Sequence, residues 1–193
     1  MTKFLMFRRW AIAAVVAGAC LLTAALPARA QSPLYFGAHL TGHRLSELDQ
    51  SRVGYGFLLG YDAYLPFISL ESELNFFPTT SSGDLGETQA FFGLKFGKKI
   101  AGWGAFVKVR PGFTHFGGGA FPNRLTEHTH FALDLGGGIE HDLAPKLALR
   151  LDLGDSKIYY GDAQLLPFPG GAPGPRLGTH DTFQGTLGVV VRF

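Results

Sequence analysis

Histidine is the side chain best suited to bind a transition metal or to act as a base near neutral pH. His128 and His130 stand two residues apart, His180 precedes Asp181, and His43 and His115 lie near the ends of patterned segments. Together they could supply a metal site or a catalytic base. No spacing among them matches a metal-ligand pattern, so they are expected to be solvated loop residues, with no metal and no cofactor. A second set of chemistry-bearing residues is charged: Glu71, Glu73, Lys95, Lys108, Arg110, Asp134, Arg150 and Asp152. Six of them sit between apolar neighbours, and Glu71 and Glu73 flank Ser72. That placement suits carboxylates and bases that neutralise one another away from water, because buried charge must be paired.

The chain that must position these groups has 193 residues, room for one good core. Charged residues make up 17%, below the usual quarter, while 18 Phe and 27 Gly are high. Disorder and coiled coil fit this composition poorly. A formal net charge of +2 is too small for binding a nucleic-acid backbone.

Residues 1–30 are expected to be a cleaved signal peptide, and 31–193 the working domain. Lys3, Arg8 and Arg9 start the chain, an apolar run follows from Ala11 to Leu26, and Ala28 and Ala30 form a small-x-small cleavage site. The run is shorter than the about 20 residues of a membrane-spanning helix. Arg8-Arg9 lacks convincing twin-arginine flanks. Ala17-Gly18-Ala19-Cys20 partly resembles a lipobox, but the apolar run continues past Cys20. Cleavage after Ala30 removes four bases, no acid and the single cysteine. The exported domain must then hold itself without a disulfide.

From Leu34 onward the pattern has period two, and no stretch carries a helical stripe. Eight segments alternate. The second puts Val53, Tyr55, Phe57, Leu59 and Tyr61 on one face; the third, Ile68, Leu70, Leu74 and Phe76 against Ser69, Glu71, Glu73 and Asn75. The seventh sets Leu147, Leu149, Leu151 and Leu153 against Ala148, Arg150 and Asp152, and the eighth runs from Thr182 to Phe193. The apolar faces carry no charge. Eight such strands fit an all-β, closed, antiparallel, up-and-down barrel, which also removes the exposed edges.

A soluble lipocalin-like barrel binding a hydrophobic ligand would show the same alternation with the apolar face inward. Three features favour a transmembrane barrel instead. The polar face is rich in glycine and poor in lysine, as a cramped interior requires. Its charges nearly cancel. Its connections alternate between short turns, near Leu65-Pro66, Lys98–Ala101 and Asp142–Pro145, and long loops at 42–51, 78–87, 116–126 and 155–178.

The architecture, the strings Glu73-Leu74-Asn75-Phe76-Phe77-Pro78 and Lys108-Val109-Arg110-Pro111-Gly112-Phe113, and the ending at Gly188, Val191 and Phe193 resemble the small eight-stranded outer-membrane barrels. These are the OmpA transmembrane-domain and OmpX-like group. The resemblance covers nearly all of 31–193 and includes no periplasmic domain after Phe193. It implies an outer-membrane location, lipid as surroundings, Phe193 as the signal read by the barrel-assembly machinery, and a monomer. It also implies a role in envelope integrity or in contacts with an external partner through the loops. With Phe193 in the periplasm, the histidines lie at the external end.

Some barrels of this size are lipid A enzymes. A deacylase needs a Ser-His-acid set facing lipid; the apolar faces offer Ser72 and no histidine, so no catalysis is expected. The eight charged residues are expected to fill the lumen as a structural network. Tyr55, Tyr61, Tyr64, Phe67, Phe76, Trp103, Phe113 and Phe183 suit interfacial girdles. Pro111 should sit at a bulge or beyond the lipid band, because it lacks a ladder donor. Leu58, Phe91 and Phe106 on the polar face mean either a partly apolar lumen or a register slip of one residue.

Overall fold

Only extended backbone places successive side chains on opposite faces, and the alternating segments all adopt it. The computed structural model describes residues 33–45, 50–63, 65, 67–78, 86–117, 128–164 and 176–193. The strands are β1 (Leu34–Leu45), β2 (Gln50–Asp62), β3 (Ile68–Phe77), β4 (Gly86–Ile100), β5 (Trp103–Gly117), β6 (Thr129–Ala144), β7 (Leu147–Gln164) and β8 (Arg176–Arg192). Each pairs antiparallel with the next, and β1 also pairs with β8, from Tyr35↔Arg192 to His43↔Gln184. The result is the closed eight-stranded barrel that the periodicity requires. The Phe193 amide donates to the Leu34 carbonyl at 3.2 Å and finishes the seam.

The polarity is inside out. Phe57, Leu94, Leu135 and Leu187 are exposed on the outer wall, while Glu71, Arg110, Gln89 and Asp152 are buried inside. A lipocalin-like barrel has the reverse arrangement, so the soluble reading is set aside. Tyr55, Tyr61, Phe67, Trp103, Phe113 and Phe183 all face outward and are exposed; Tyr64 lies outside the described residues.

Leu58, Phe91 and Phe106 are 2%, 3% and 7% exposed. The ladders run through Leu58↔Glu73, Glu73↔Phe91 and Phe106↔Gly138 without a shift. The lumen is therefore partly apolar, and there is no slip. Pro111 is neither at a bulge nor at a strand end. The β4–β5 ladder skips the pairs that would join Phe92 and Gly93 to Pro111 and Arg110, then resumes in the same register. The missing donor is absorbed by this gap.

The connections are shorter than the sequence suggests at three of the four long loops, because the strands continue past their apolar runs. β1 and β2 pair out to Leu45↔Gln50, β3 and β4 leave 78–85 between them, and β7 and β8 leave only 165–175. Polar residues there keep the strand parity, so Asp155, Lys157 and Asp181 stand on the outer wall. These charges lie beyond the segments whose apolar faces carry none, in the parts of β7 and β8 that run past them. At the other end, β4 and β5 meet through Ala101 and Gly102, both at positive φ (50° and 82°). Those are the signs a two-residue hairpin turn needs to match the strand twist.

Glycines make room where walls and side chains meet. A Cβ on Gly112 would lie 2.0 Å from the Ala90 carbonyl oxygen and 2.7 Å from Phe91, whereas one on Gly185 meets nothing closer than Leu153 Cδ2 at 3.5 Å. Gly112→Ala is expected to lower the unfolding free energy by about 1–3 kcal/mol, the usual cost of overpacking. Gly185→Ala should stay within about 0.5 kcal/mol of the parent. Urea unfolding in vesicles, followed by tryptophan fluorescence, checks both; equal stabilities would contradict the close approach at Gly112.

Candidate functional site

Strand parity turns Glu71 and Glu73 of β3 inward on successive positions, and does the same for Lys95 of β4, Lys108 and Arg110 of β5, Asp134 of β6, and Arg150 and Asp152 of β7. All eight are buried, and they meet in the middle of the lumen. Glu71 is at the centre. Arg150 grips it with both ends of its guanidinium, Nη1 to Oε1 at 2.6 Å and Nη2 to Oε2 at 3.0 Å. The Tyr35 hydroxyl donates to Oε1 at 2.8 Å, and Lys95 Nζ and Arg110 Nη1 each stand 3.3 Å away. Bidentate, charge-assisted bonds of this kind are the strong ones in a protein.

The network spreads outward from there. Arg110 reaches Glu73 Oε2 at 2.8 Å and donates through Nε to Asp134 Oδ2 at 2.8 Å. Arg150 Nε donates to Asp152 Oδ2 at 2.8 Å. Lys108 Nζ lies 3.4 Å from Asp134 and 3.6 Å from Asp152. Four carboxylates thus face four cations, so the cluster is neutral as a whole. The Phe106 ring lies under Arg150 at 4.4 Å and under Lys95 at 5.4 Å, an arrangement in which the ring face offsets part of the lost hydration.

The network is larger than the eight residues singled out, and its further members also lie on the polar faces. Tyr35, Glu140 and Arg192 all belong to the network: Lys95 donates to Glu140 at 3.1 Å, and Arg192 bonds Glu140 and Asp142. Above the cluster a polar chain runs towards the long-loop end. Asn75 donates to Glu73 at 2.8 Å, and Gln89 donates to Glu87 at 2.8 Å. His39 Nε2 stands 2.7 Å from Asn75 Oδ1. The signal for all of these was their inward parity. Below the cluster, at the short-turn end, a cavity of about 260 Å³ is lined by Asp62, Ser69, Phe106, Lys95, Glu140 and Arg192. It stops against the salt bridges.

Two of the five histidines are buried inside the barrel and not solvated as expected. His43 is inside β1, 4% exposed, stacked on Phe77 at 4.1 Å, with Nε2 3.1 Å from Glu87 Oε2. His130 is 3% exposed and packs on Tyr160 and Phe116. His128 and His180 are half-buried. The strands simply run further than their apolar runs and carry these residues indoors. Among the described residues, no group of three or more His, Cys, Asp or Glu gathers as a metal site would require. His115 stands on the outer wall beyond the Phe113–Phe131 row. It keeps the outward parity of β5 and is exposed, with Nδ1 2.8 Å from Thr129 Oγ1. Ser72 does not join it; its cross-strand neighbours are Leu59 and Phe92.

Removing one member of a buried ionic cluster leaves the others uncompensated, which costs far more than losing a solvated pair. Glu71→Ala is expected to destabilise the barrel by about 3–5 kcal/mol. Lys99→Ala, which breaks the exposed pair with Asp142, should cost no more than about 1 kcal/mol. Urea midpoints of the two variants in one lipid decide the point, and similar midpoints would contradict it.

Solved structures of the same shape exist. Neisserial surface protein A matches over 86% of this chain and 100% of its own, with a TM-score of 0.54 and 15% identity. The N-terminal β-barrel domain of Pseudomonas aeruginosa OprF matches over 85% of this chain and 100% of its own, with a TM-score of 0.54 and 12% identity. At such identities the likeness is one of fold. A comparison with curated proteins finds no significant match. The family model for the outer membrane protein beta-barrel domain matches residues 11–193. This chain belongs to that family.

Proposed function

We propose that residues 1–30 export this chain and that the remainder works in the outer membrane as a closed, non-catalytic barrel. Its role is to add to envelope integrity and to hold its longer connections at the cell surface, where they meet external partners. The observation that carries this reading is the neutral salt-bridge cluster around Glu71, which stops the lumen while the outer wall stays apolar. A barrel closed in this way serves as a scaffold. Eight strands leave an interior barely wide enough for its own side chains, and here those side chains are tied together.

Further support comes from the two ends. The short turns at 101–102 and 145–146 lie with Phe193 at one end, which suits the periplasmic side; the strand ends at Phe77, Gly86, Gly117, Thr129, Gln164 and Arg176, which flank the longer connections, lie at the other. Phe193 at the seam is the residue offered to the barrel-assembly machinery. In fractionated cells the protein is expected in the outer membrane. It should migrate differently on gels with and without boiling, and purified protein in planar bilayers should give no stepwise current. A soluble protein, or a steady current through the parent barrel, would overturn this reading.

A further inference from the structure

The apolar pattern of the outer wall breaks at the short-turn end of β4, β5 and β6. The cross-strand rows there are Lys98–Ala105–Ile139 and Ile100–Trp103–His141. β4 runs on to Ile100, so Lys98 belongs to the sheet and not to the turn. Strand parity turns Lys98, Trp103 and His141 outward on three neighbouring strands. On β5 the same face runs from Trp103 to Phe113. A tilted strand climbs about 25 Å over that length, the height of the lipid band. Trp103 thus marks the lower edge of the band, where headgroups begin, and its two polar neighbours lie beside it.

His141 is the least expected of the three. Its ring lies 4.1 Å from the Trp103 ring, tilted by 31°. Its Nδ1 is buried with no hydrogen-bond partner among the described residues, so a polar contact of the imidazole with the membrane must be made through Nε2. The Trp103 side chain is exposed and makes no hydrogen bond among the described residues. Lys98 is exposed, and among the described residues no carboxylate stands within ion-pair distance of it. Its neighbour Lys99 is paired with Asp142, which also holds Arg192. Three polar groups therefore adjoin one another at the edge of the lipid band without a partner in the barrel. Such groups on a lipid-facing wall are costly to keep there and mark a site. Ala105, the smallest outward side chain of β5, leaves a dip between Lys98 and Ile139.

We propose that Lys98, Trp103 and His141 hold the phosphate of an anionic phospholipid, phosphatidylglycerol, with an acyl chain over Ala105. The proposal rests on the reading that puts the short turns on the periplasmic side, because phospholipid fills that leaflet of an outer membrane. A phosphate diester suits the site because its oxygens only accept hydrogen bonds, and an ammonium, an indole N–H and an imidazole N–H supply the donors. Charge then selects the headgroup. Phosphatidylethanolamine would bring a second ammonium towards Lys98; phosphatidylglycerol brings hydroxyls in its place. At the edge of the lipid band the attraction between Lys98 and the phosphate is stronger than in bulk water.

The test uses the whole barrel, folded in detergent and mixed with phosphatidylglycerol and phosphatidylethanolamine of identical acyl chains. Native mass spectrometry counts the retained lipid. The parent should keep one phosphatidylglycerol in preference to phosphatidylethanolamine by about fivefold, the factor that one lysine near a membrane surface supplies. Lys98→Gln should lose that preference. His141→Phe, which keeps a ring against Trp103, should lower the amount of lipid retained. Lys157→Gln, on the outer wall at the opposite end, should keep both. Unboiled gel mobility verifies that all three variants are folded. Equal retention of the two lipids by the parent, or an undiminished preference in Lys98→Gln, would overturn the proposal. So would an equal loss in Lys157→Gln, or displacement of the lipid by inorganic phosphate, which would make the site one for a free anion. Selectivity in detergent does not depend on which way the barrel faces. Its failure therefore leaves the scaffold reading standing, and failure of that reading shows separately in cell fractionation.

Discussion

A single carboxylate at the middle of the packed lumen sets the terms for this structure. Glu71 is completely buried, and an isolated ionised carboxyl there would be prohibitive. It exists because Arg150, Arg110, Lys95 and Tyr35 converge on it from β7, β5, β4 and β1. Those cations are themselves answered by Glu73, Asp134, Asp152 and Glu140. Local ladder bonds join each strand only to its neighbours. The network joins strands across the barrel, so the lumen has one arrangement in which every charge is met.

The rest of the wall follows from that constraint. A lumen filled with long guanidinium and ammonium side chains has no space for bulky neighbours on the same face. Glycines such as Gly93, Gly112, Gly136 and Gly138 accordingly line it, where an added Cβ would strike backbone or a ring. With polarity spent on the inside, the outside carries the apolar residues, and lipid is the solvent that accepts them. The aromatic residues then fall near the strand ends, where an amphipathic ring is best placed.

The sequence made much of this legible, and its failures share one cause. Period two fixed the faces, so the eight interior charges could be assigned to the lumen from parity alone. Strand length was harder to judge. Alternation is visible only while one face is apolar, and in the outer turns of β1, β7 and β8 both faces become mixed. His43 therefore looked like a loop residue, and Asp155, Lys157 and Asp181 looked as though they lay beyond the sheet. The same parity rule, carried a few residues further, places all of them correctly. At Pro111 the strand absorbs the lost donor without a bulge, because the β4–β5 ladder leaves it unpaired on one side. The partner choices within the lumen could not be read at all, since register around a closed barrel decides which of several bases meets which acid.

The central claim is that Glu71 and Arg150 are coupled members of one buried cluster and not independent side chains. A double-mutant cycle with Glu71→Gln and Arg150→Met tests it most directly, with unfolding free energies measured in the same lipid vesicles. Residues in direct contact through such a network show interaction energies of about 0.5–3 kcal/mol. Here the double variant should be more stable than the two single losses added together imply, by at least about 1 kcal/mol. Strict additivity of the two substitutions would contradict the account.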